Sequence, residues 1–265
     1  MMEIAALNKG NNLRETHMRI KLADIKIVAE YCAPRTMHKY LDYLADFETP
    51  DITIKKLTEE DYSCFVNKNF LSFQRDIGNE GIAVTIIDLE SIIIYKKIVE
   101  SLLDYNVILV HGAAISVDNK CYVFIAPSGI GKTTHILNWI NMVPNTIVVN
   151  GDKPLVNVDK KLVYGSPWCG KEGMNKNVAI PLAGIISLKR GESNSIRRID
   201  YRTIFPELLQ QCYIPQDGKE AIKAYRHIGS LASIPCYQLY CNMDKESALV
   251  AYEGLLRHGK RDSFI

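Results

Sequence analysis

The sequence predicts a mixed α/β fold. Segments rich in β-branched residues alternate with segments whose apolar residues recur every three or four positions, and these are the spacings of strands and helices. One apolar strand pattern, 121–126, runs directly into a glycine-containing turn and then a helical pattern. The chain has 265 residues, 47% of them hydrophobic, which is enough to build a buried core. This order of elements is typical of α/β proteins.

Composition argues against several classes of protein. The 32 basic and 30 acidic residues give a formal net charge of +2, so charge gives no reason to expect a nucleic acid or a membrane surface as partner. Seven cysteines without a C-x-x-C pair favour reduced thiols over a disulfide framework or a zinc site. No secretory signal is evident, and no apolar run approaches the ~20 residues of a membrane span. We therefore expect a cytoplasmic protein.

The first hundred residues are predicted to form a small α+β portion. Apolar alternation changes parity at Ala23-Asp24, which indicates either a bulged strand or two strands. Residues 1–17 are polar and carry no motif. The patterns are those of strands at 19–28, 51–57 and 81–88, the last buried on both faces, and of helices at 34–47 and 90–105.

A change of pattern near residue 100 separates this portion, 1–100, from a nucleotide-binding domain predicted over 101–265. The N-terminal portion either stands apart or completes the same fold. In the second part the patterns predict strands at 107–117, 121–126, 146–150, 155–158 and 184–188, and helices at 205–212, 218–233 and 245–258. The first two strands are joined at Asp118-Asn119-Lys120, a tripeptide typical of turns.

The segment from Cys121 to Leu137 meets the requirements of a phosphate-binding loop. Gly129 and Gly131 can adopt backbone angles closed to other residues, so successive N–H groups can converge on phosphate oxygens. Lys132 is then placed to neutralise the β and γ phosphates, and the Thr133 hydroxyl to bind Mg²⁺. The residues predicted to bind nucleotide are Ser128, Gly129, Ile130, Gly131, Lys132, Thr133 and Thr134. ATP is preferred over GTP because the chain lacks an N-K-x-D guanine motif.

Ala126 departs from the usual pattern G-x-x-x-x-G-K-[ST], which begins with glycine. Alanine does not tolerate a positive φ, so the chain is expected to enter the loop from an ordinary backbone region. The S-G-x-G-K-T core is complete. A chance turn of small residues would explain the two glycines but not the lysine and threonine in register behind them.

Three motifs occur in a specific order: His111-Gly-Ala-Ala, then S-G-I-G-K-T-T, then Asn150-Gly-Asp152. In this order they resemble the HPr kinase/phosphorylase family, and they are similar to the ATP-dependent phosphoenolpyruvate carboxykinases, whose core shares that fold. The resemblance covers roughly 107–200. The stretch Y-G-S-P-W-C-G-K at 164–171, followed by Pro181-Leu182, looks like that of small stand-alone members of this group. The resemblance implies a P-loop kinase core with a small N-terminal α+β portion.

The resemblance also implies roles for two residues. HPr kinases carry two adjacent aspartates, a general base and an acid near the metal, where this chain has Gly151-Asp152. Asp152 is therefore predicted to act as base, as metal ligand, or as both. His111 is implied to lie near the transferred phosphoryl group, where it would donate a hydrogen bond to developing charge. The alternative for His111 is a structural histidine at the end of a strand.

Four neighbouring residues are weaker candidates. Lys153 and Lys171 either add positive charge around the phosphates or are ordinary surface lysines. Trp168 is interpreted as a core aromatic in preference to a wall of the acceptor pocket. Cys169 is interpreted as structural, because no sequence neighbour would activate its thiol.

Three functions follow from these residues. The first is an ATP-dependent kinase that phosphorylates a hydroxyl of a small molecule, a peptide or a protein serine, with Asp152, His111 and Lys132 as catalytic residues. The second, ranked lower, is a carboxykinase-like reaction on an organic acid, since the chain is short for that class and its arginines occur late. The third is a nucleotide-binding switch or scaffold in a peptide-modification pathway, motivated by the missing second acid. The oligomeric state stays open.

Overall fold

The computed structural model describes residues 16–66, 86–242 and 244–262. The chain is mixed α/β and divides into two compact units, Met1–Ile98 and Val99–Ile265. Seven α-helices lie in the described ranges: α1 Pro34–His38, α2 59–66, α3 Ile86–Leu102, α4 Lys132–Met142, α5 Tyr201–Gln211, α6 Gly218–Ser230 and α7 Glu246–Asp262. A search of the described helices for a segment able to span a membrane finds none.

The described residues contain twelve strands. Three belong to the first unit: β1 Thr16–Leu22, β2 Ile25–Tyr31 and β3 Ile52–Ile54. Nine form one mixed sheet in the second unit: β4 Val107–Leu109, β5 Gly112–Val117, β6 Lys120–Ile125, β7 Ile147–Asn150, β8 Leu155–Asn157, β9 Leu162–Tyr164, β10 Ala179–Arg190, β11 Ser195–Ile199 and β12 Cys236–Cys241.

In the first unit, β1 and β2 form an antiparallel hairpin, and β3 pairs with β2 in parallel. Ala23 and Asp24 turn the hairpin with φ of 49° and 69°, the positive values that a tight two-residue hairpin turn requires at both positions. The parity change in the sequence therefore marks two strands, which is the second of the two alternatives.

A buried carboxylate holds α1 in place. Ala33, the N-cap residue of α1, provides no capping side chain. Glu90 of α3, only 2% exposed, accepts hydrogen bonds from the backbone N–H groups of Cys32 at 2.7 Å and Ala33 at 3.1 Å, and from the Thr36 hydroxyl at 2.6 Å. A side chain distant in sequence thus satisfies donors that the first turn of a helix leaves free.

Two predictions for this unit need correction. The helix predicted over 34–47 ends at His38, and a 3₁₀ turn at Leu41–Tyr43 follows. The chain leaves the helix because Leu44 bridges to Ile20 of β1. The strand predicted over 81–88 is wrong at 86–88, which begin α3, while 81–85 lie outside the described residues. A short apolar run cannot be assigned to strand or buried helix by periodicity alone.

The large sheet has the strand order β4-β8-β9-β10-β6-β5-β7, with β12 beside β10 and β11 beside β12. β10 runs parallel to β6, and β5 is antiparallel to both β6 and β7. Gly112 pairs with Ile125, Ile125 with Ser187, and Ala114 with Asn150. The start of β5 and the ends of β6, β7 and β10 therefore meet at one edge, which we call the loop edge.

Helices cover both faces of this sheet. Along β6, Cys121, Val123 and Ile125 pack toward α5 and α6, whereas Tyr122 and Phe124 pack toward α4 and α7. Burial on both faces explains why the strand reads as a continuous apolar run. The predicted helices of this unit and its other predicted strands are confirmed in type, and the turn before β6 has positive φ at Asp118 and Asn119, 50° and 56°. The single strand predicted over 107–117 is wrong, because the chain breaks at 110–111 into β4, which pairs with β8, and β5, which pairs with β6 and β7.

Three strands of the sheet are missing from the sequence prediction. β9 has only three residues, β11 has two partly buried isoleucines separated by two exposed arginines, and β12 interleaves cysteine and tyrosine with glutamine. β10 is also longer than its predicted core of 184–188, because its first residues pair with β9 and its last with β12. Such pairings are tertiary and leave little trace in local sequence.

Gly165→Ala is expected to destabilise the chain by about 3 kcal/mol or more, as for severe overpacking. A Cβ at Gly165 would lie 1.9 Å from the Lys176 carbonyl oxygen and 3.0 Å from that of Val149. Gly229→Ala is the matched control, because a Cβ there meets nothing within 4 Å and alanine favours a helix by about 1 kcal/mol. Urea unfolding midpoints measure both, and equal midpoints would contradict this packing.

Candidate functional site

The glycine loop follows β6 at the loop edge. Ala126 is buried and lies outside the positive-φ region, as expected for an ordinary backbone entry. Gly129 and Gly131 have φ of 80° and 120°, conformations that residues with a Cβ adopt at a cost. A Cβ on Gly129 would meet nothing within 4 Å. The requirement for glycine there is therefore one of backbone conformation, not of space.

The loop ends at the start of α4, an 11-residue helix whose N-cap, Gly131, provides no capping side chain. The first N–H groups of a helix have no partner within the helix and carry its partial positive charge. A helix start without a side-chain cap, preceded by a loop with positive φ, is a physical setting for an anion. The residues present therefore fit a phosphate group.

Lys132 connects this loop to the next strand end. Its Nζ donates a hydrogen bond to the Ala126 carbonyl at 2.8 Å. Burial lowers the pKa of Lys132, the Asp152 carboxylate opposes that shift, and the Lys153 charge adds to it. Asp152 and Lys153 therefore lie within electrostatic reach of Lys132, and the loop and the Asn150-Gly-Asp motif form one site.

The carboxylate of Asp152 lies between two cationic or ionisable groups. His111 Nε2 lies 3.3 Å from Asp152 Oδ1, and the Lys153 ammonium contacts Oδ2. The Gly112 N–H donates to the Asp152 carbonyl at 2.8 Å, which ties the start of β5 to this turn. The structure thus brings together three of the predicted residues, His111, Asp152 and Lys132, and adds Lys153.

The hydrogen bond from His111 is the largest cause of a strongly lowered pKa at Asp152. Partial burial opposes this shift, and the hydrogen bond and charge of Lys153 reinforce it. Asp152 is therefore a carboxylate throughout the physiological pH range. A carboxylate of low basicity suits metal binding or the orientation of a hydroxyl better than the removal of a proton from a weak acid.

Asn150 builds the turn that presents Asp152, and sequence reasoning assigned it no role. It is 0% exposed, and its Oδ1 accepts from the N–H groups of Asp152 at 2.9 Å and Lys153 at 2.7 Å. Its Nδ2 donates to the carbonyl and hydroxyl of Ser166 at 3.0 and 3.1 Å. Asparagine is common in such turns because its short side chain can bond to the following backbone.

A glycine-rich loop between β9 and β10 lies against Asp152. The Gly151 N–H donates to the Met174 carbonyl at 2.8 Å. Gly170, with φ of 81°, lies so close that a Cβ there would be 3.2 Å from Asp152 Cβ and 3.5 Å from Glu172 Oε2. Glu172 and Asp152 therefore both lie beside Gly170, and sequence reasoning missed Glu172 because it looked for a second acid next to Asp152 in the chain.

Three other residues considered from the sequence, Trp168, Cys169 and Lys171, lie in this loop. Trp168 is partly buried, between the core and wall interpretations, and its backbone N–H donates to Ser166 Oγ at 3.2 Å. Cys169 is partly exposed, and Lys171 is exposed on the same loop. Of the two lysines considered, the structure brings Lys153 to the carboxylate.

Arg190 of β10 forms hydrogen bonds with the glycine loop. At the end of β10, its Nη2 donates to the Gly129 carbonyl at 2.7 Å and its Nε to the Ile130 carbonyl at 3.4 Å. Bonds to these carbonyls fix the peptide groups of the loop. Sequence reasoning noted this arginine only as one of a late cluster, because nothing local links it to a loop 60 residues earlier.

A second polar cluster lies at the same edge. Ser187 and Lys189 point to one face of β10, where Glu207 of α5 accepts a hydrogen bond from the Ser187 hydroxyl at 2.5 Å and contacts the Lys189 ammonium. Ser187 pairs with Ile125, the last residue of the loop strand. Glu207 is thereby fully engaged in holding α5 against β10.

His135 in α4 anchors the loop helix and is not part of the site. It is 2% exposed, and burial lowers its pKa to about 4. Its Nε2 accepts from the Trp139 indole N–H at 2.8 Å, and its Nδ1 lies 3.5 Å from Ser247 Oγ of α7. This neutral histidine fixes α4 against α7, so the loop rests on a rigid helix.

The described residues contain no group of three or more histidine, cysteine or acidic side chains that could hold a metal by themselves. Oxygen ligands that would suit Mg²⁺ are the Thr133 hydroxyl at the start of α4 and the Asp152 carboxylate. Mg²⁺ usually takes one or two carboxylates, with phosphate and water completing its shell. This set fits a metal that arrives with a phosphate ligand.

No protein-family model matches the chain, and the search of curated proteins gives no match either.

Asp152→Asn is expected to lower the free energy of unfolding at neutral pH, because the amide loses the charge interactions with His111 and Lys153. A carboxyl with a lowered folded pKa stabilises above its unfolded value, about 3.9, and that contribution is lost as pH falls through the folded pKa. The gap between wild type and variant should therefore shrink below about pH 4. Urea midpoints from neutral to acid pH measure it.

Asp46→Asn is the control, since Asp46 is exposed in the first unit. A gap at Asp152 that stays constant with pH, or that matches the gap at Asp46, would contradict the ion-pair geometry.

Proposed function

We propose that this chain is an ATP-dependent phosphotransferase that transfers the γ-phosphoryl group to a hydroxyl, with a core of the HPr kinase type. One observation carries the proposal. A glycine loop with positive φ at both glycines follows β6 at the same sheet edge at which Asp152, held by His111 and Lys153, follows β7. A phosphate cradle and an acid within its reach are the two parts that phosphoryl transfer needs.

In this proposal the nucleotide phosphates are bound by the N–H groups of Gly129 to Thr134 and by the Lys132 ammonium. Thr133 and Asp152 hold the metal. MgATP supplies the phosphoryl group and the cation that neutralises its charge. The lowered pKa of Lys132 has burial as its largest cause, and a partly desolvated ammonium interacts more strongly with phosphate oxygens than one in bulk water.

His111 and Asp152 act on the other side of the transferred group. Asp152 orients the acceptor hydroxyl, and little proton removal is needed before the bond to phosphorus forms. His111, which already places Nε2 toward Asp152, is positioned to donate to charge that develops on the phosphoryl oxygens. Lys153 limits the repulsion between the Asp152 carboxylate and the incoming phosphates.

The two other functions are less well supported. A carboxykinase-like reaction needs arginines for the carboxylates of an organic acid, whereas Arg190 bonds to loop carbonyls and Arg197 to the Gln238 side chain. A switch or scaffold would use the loop but not the acid. The ordered Asp152 turn, in which the Asn150 side chain accepts two hydrogen bonds and donates two, favours turnover over simple binding.

Lys132→Ala is expected to weaken MgATP binding at least about 10-fold, the loss of a charged hydrogen bond. Asp152→Asn is expected to keep MgATP bound and to lose phosphoryl transfer. Lys120→Ala is the control, because Lys120 is exposed at the start of β6, the end of that strand opposite the loop. Isothermal titration measures binding, and mass spectrometry of a host small-molecule and peptide extract incubated with MgATP measures phosphorylated products.

A product that disappears in both variants would support the kinase and identify the acceptor class. Tight MgATP binding without any product or ADP in wild type would replace the kinase by the switch or scaffold. MgATP affinity that is equal in wild type and Lys132→Ala would exclude nucleotide binding at this loop.

Arg190→Ala is expected to raise the Kd for MgATP about 10-fold, because the loop loses donors to two of its carbonyls. Arg190→Lys should recover only part of this affinity, since an ammonium does not reproduce the guanidinium fork. Arg197→Ala, which removes an exposed arginine bonded to Gln238, serves as control. An unchanged Kd in Arg190→Ala would show that the loop keeps its conformation without this arginine.

A further inference from the structure

The C-terminal end of α5 lies against His111, one of the residues of the candidate site. Val110 and Cys212 form an antiparallel bridge, flanked by hydrogen bonds from the His111 N–H to the Gln211 carbonyl at 2.6 Å and from the Tyr213 N–H to the Leu109 carbonyl at 3.0 Å. The backbone of Gln211, the last residue of α5, therefore lies directly against that of His111.

Gln211 is 9% exposed, and its Oε1 is buried without a hydrogen-bond partner among the described residues. A buried polar atom in this state costs about 1–3 kcal/mol, so natural proteins rarely keep one without a purpose. Two polar side chains of this edge are engaged elsewhere. His111 bonds to Asp152, and Glu207, one turn earlier on α5, bonds to Ser187 and Lys189.

The chemistry of a carboxamide restricts what can satisfy it. An amide is neutral and offers both donors and an acceptor, so it pairs best with a group that also does both, such as a hydroxyl or another amide. A carboxylate accepts only, and it would add negative charge at an edge that already holds the ionised Asp152. The Gln211 side chain is therefore matched to an uncharged polar group.

We propose that Gln211 is a substrate-binding residue that recognises an uncharged hydrogen-bonding group neighbouring the hydroxyl to be phosphorylated. The acceptor is then an uncharged polyol or the serine of a peptide, whose backbone amide lies beside its hydroxyl. This rests on the proposed function, since the reacting hydroxyl is the one that Asp152 orients. Gln211 contacts the acceptor, and His111 and Asp152 contact the transferred group.

The test uses the full chain labelled with ¹⁵N and follows the side-chain amide resonance of Gln211, assigned through its backbone. Glycerol, N-acetylserinamide and sodium acetate are titrated separately with MgADP present. We expect glycerol or N-acetylserinamide to shift this resonance to saturation, and the one that binds tighter distinguishes a polyol from a peptide serine. Acetate is expected to shift it less than either.

Gln211→Leu should weaken binding of the responding probe about 5-fold or more, the loss of one neutral hydrogen bond, and leave MgADP affinity unchanged. Gln210→Leu, at the exposed neighbouring position, should change neither. Gln211→Asn keeps the amide but shortens its reach and gives a second variant if the leucine disturbs folding.

A Gln211 resonance that responds to none of the probes, or most strongly to acetate, would overturn the proposal. MgADP and MgATP affinity and product formation are measured on the same samples. Loss of nucleotide binding with a preserved glycerol response would reject the kinase while supporting Gln211 as a binding residue for uncharged polar groups. The two failures are therefore distinguishable.

Discussion

The pairing of β5 with both β6 and β7 is the constraint on which the site depends. β5 runs against its two neighbours, so its first residue lies where theirs end. Gly112 makes this approach possible, because a Cβ there would lie 2.8 Å from the Phe124 carbonyl. The same residue donates to the Asp152 carbonyl. One glycine thus sets the distance between the histidine before it, the loop after β6 and the acid after β7.

Charge at this edge is balanced by specific pairs. Asp152 lies between His111 and Lys153, and Glu207 contacts Lys189, so both of these carboxylates have a cationic or ionisable partner. Lys132 and Arg190 bond to loop carbonyls, which are neutral acceptors. Lys132 and Arg190 therefore leave net positive charge beside the glycine loop, whereas Glu207 and Lys189 balance each other beside α5. An anion with several charges would be attracted to the first, and an uncharged group fits the second.

Local chemistry made the loop and the acid predictable. Glycines with a following lysine and threonine act through their own backbone and side chains, so their pattern survives in the sequence as a run. The hairpin turns at Ala23-Asp24 and at Asp118-Asn119 are local in the same sense. The type of most elements in the second unit followed from periodicity, because both faces of the sheet are buried.

The remaining residues of the site are brought together by pairing between segments that are distant in the chain. No continuous sequence motif therefore marks them. Glu172 and Asp152 both lie beside Gly170 because the loop packs closely there, and Arg190 reaches Gly129 only because β10 lies beside β6. The short helix α1 has the same origin, since Leu44 pairs with β1 at the point where periodicity predicted more helix. Such contacts depend on the register of distant segments, which a single sequence does not encode in any window.

Two buried side-chain amides, those of Asn150 and Gln211, differ in how many of their hydrogen bonds are made by protein groups. Asn150 has every side-chain hydrogen bond made by protein groups, and removing them would release the turn that holds Asp152. Gln211 is similarly buried, yet its Oε1 bonds to no described protein group. Burial imposes the same penalty on both amides, and the proposed role of Gln211 would explain why its oxygen has no protein partner. A satisfied amide stabilises one conformation, whereas the Gln211 oxygen, whose backbone lies against His111, keeps a bonding capacity that the proposed acceptor would use.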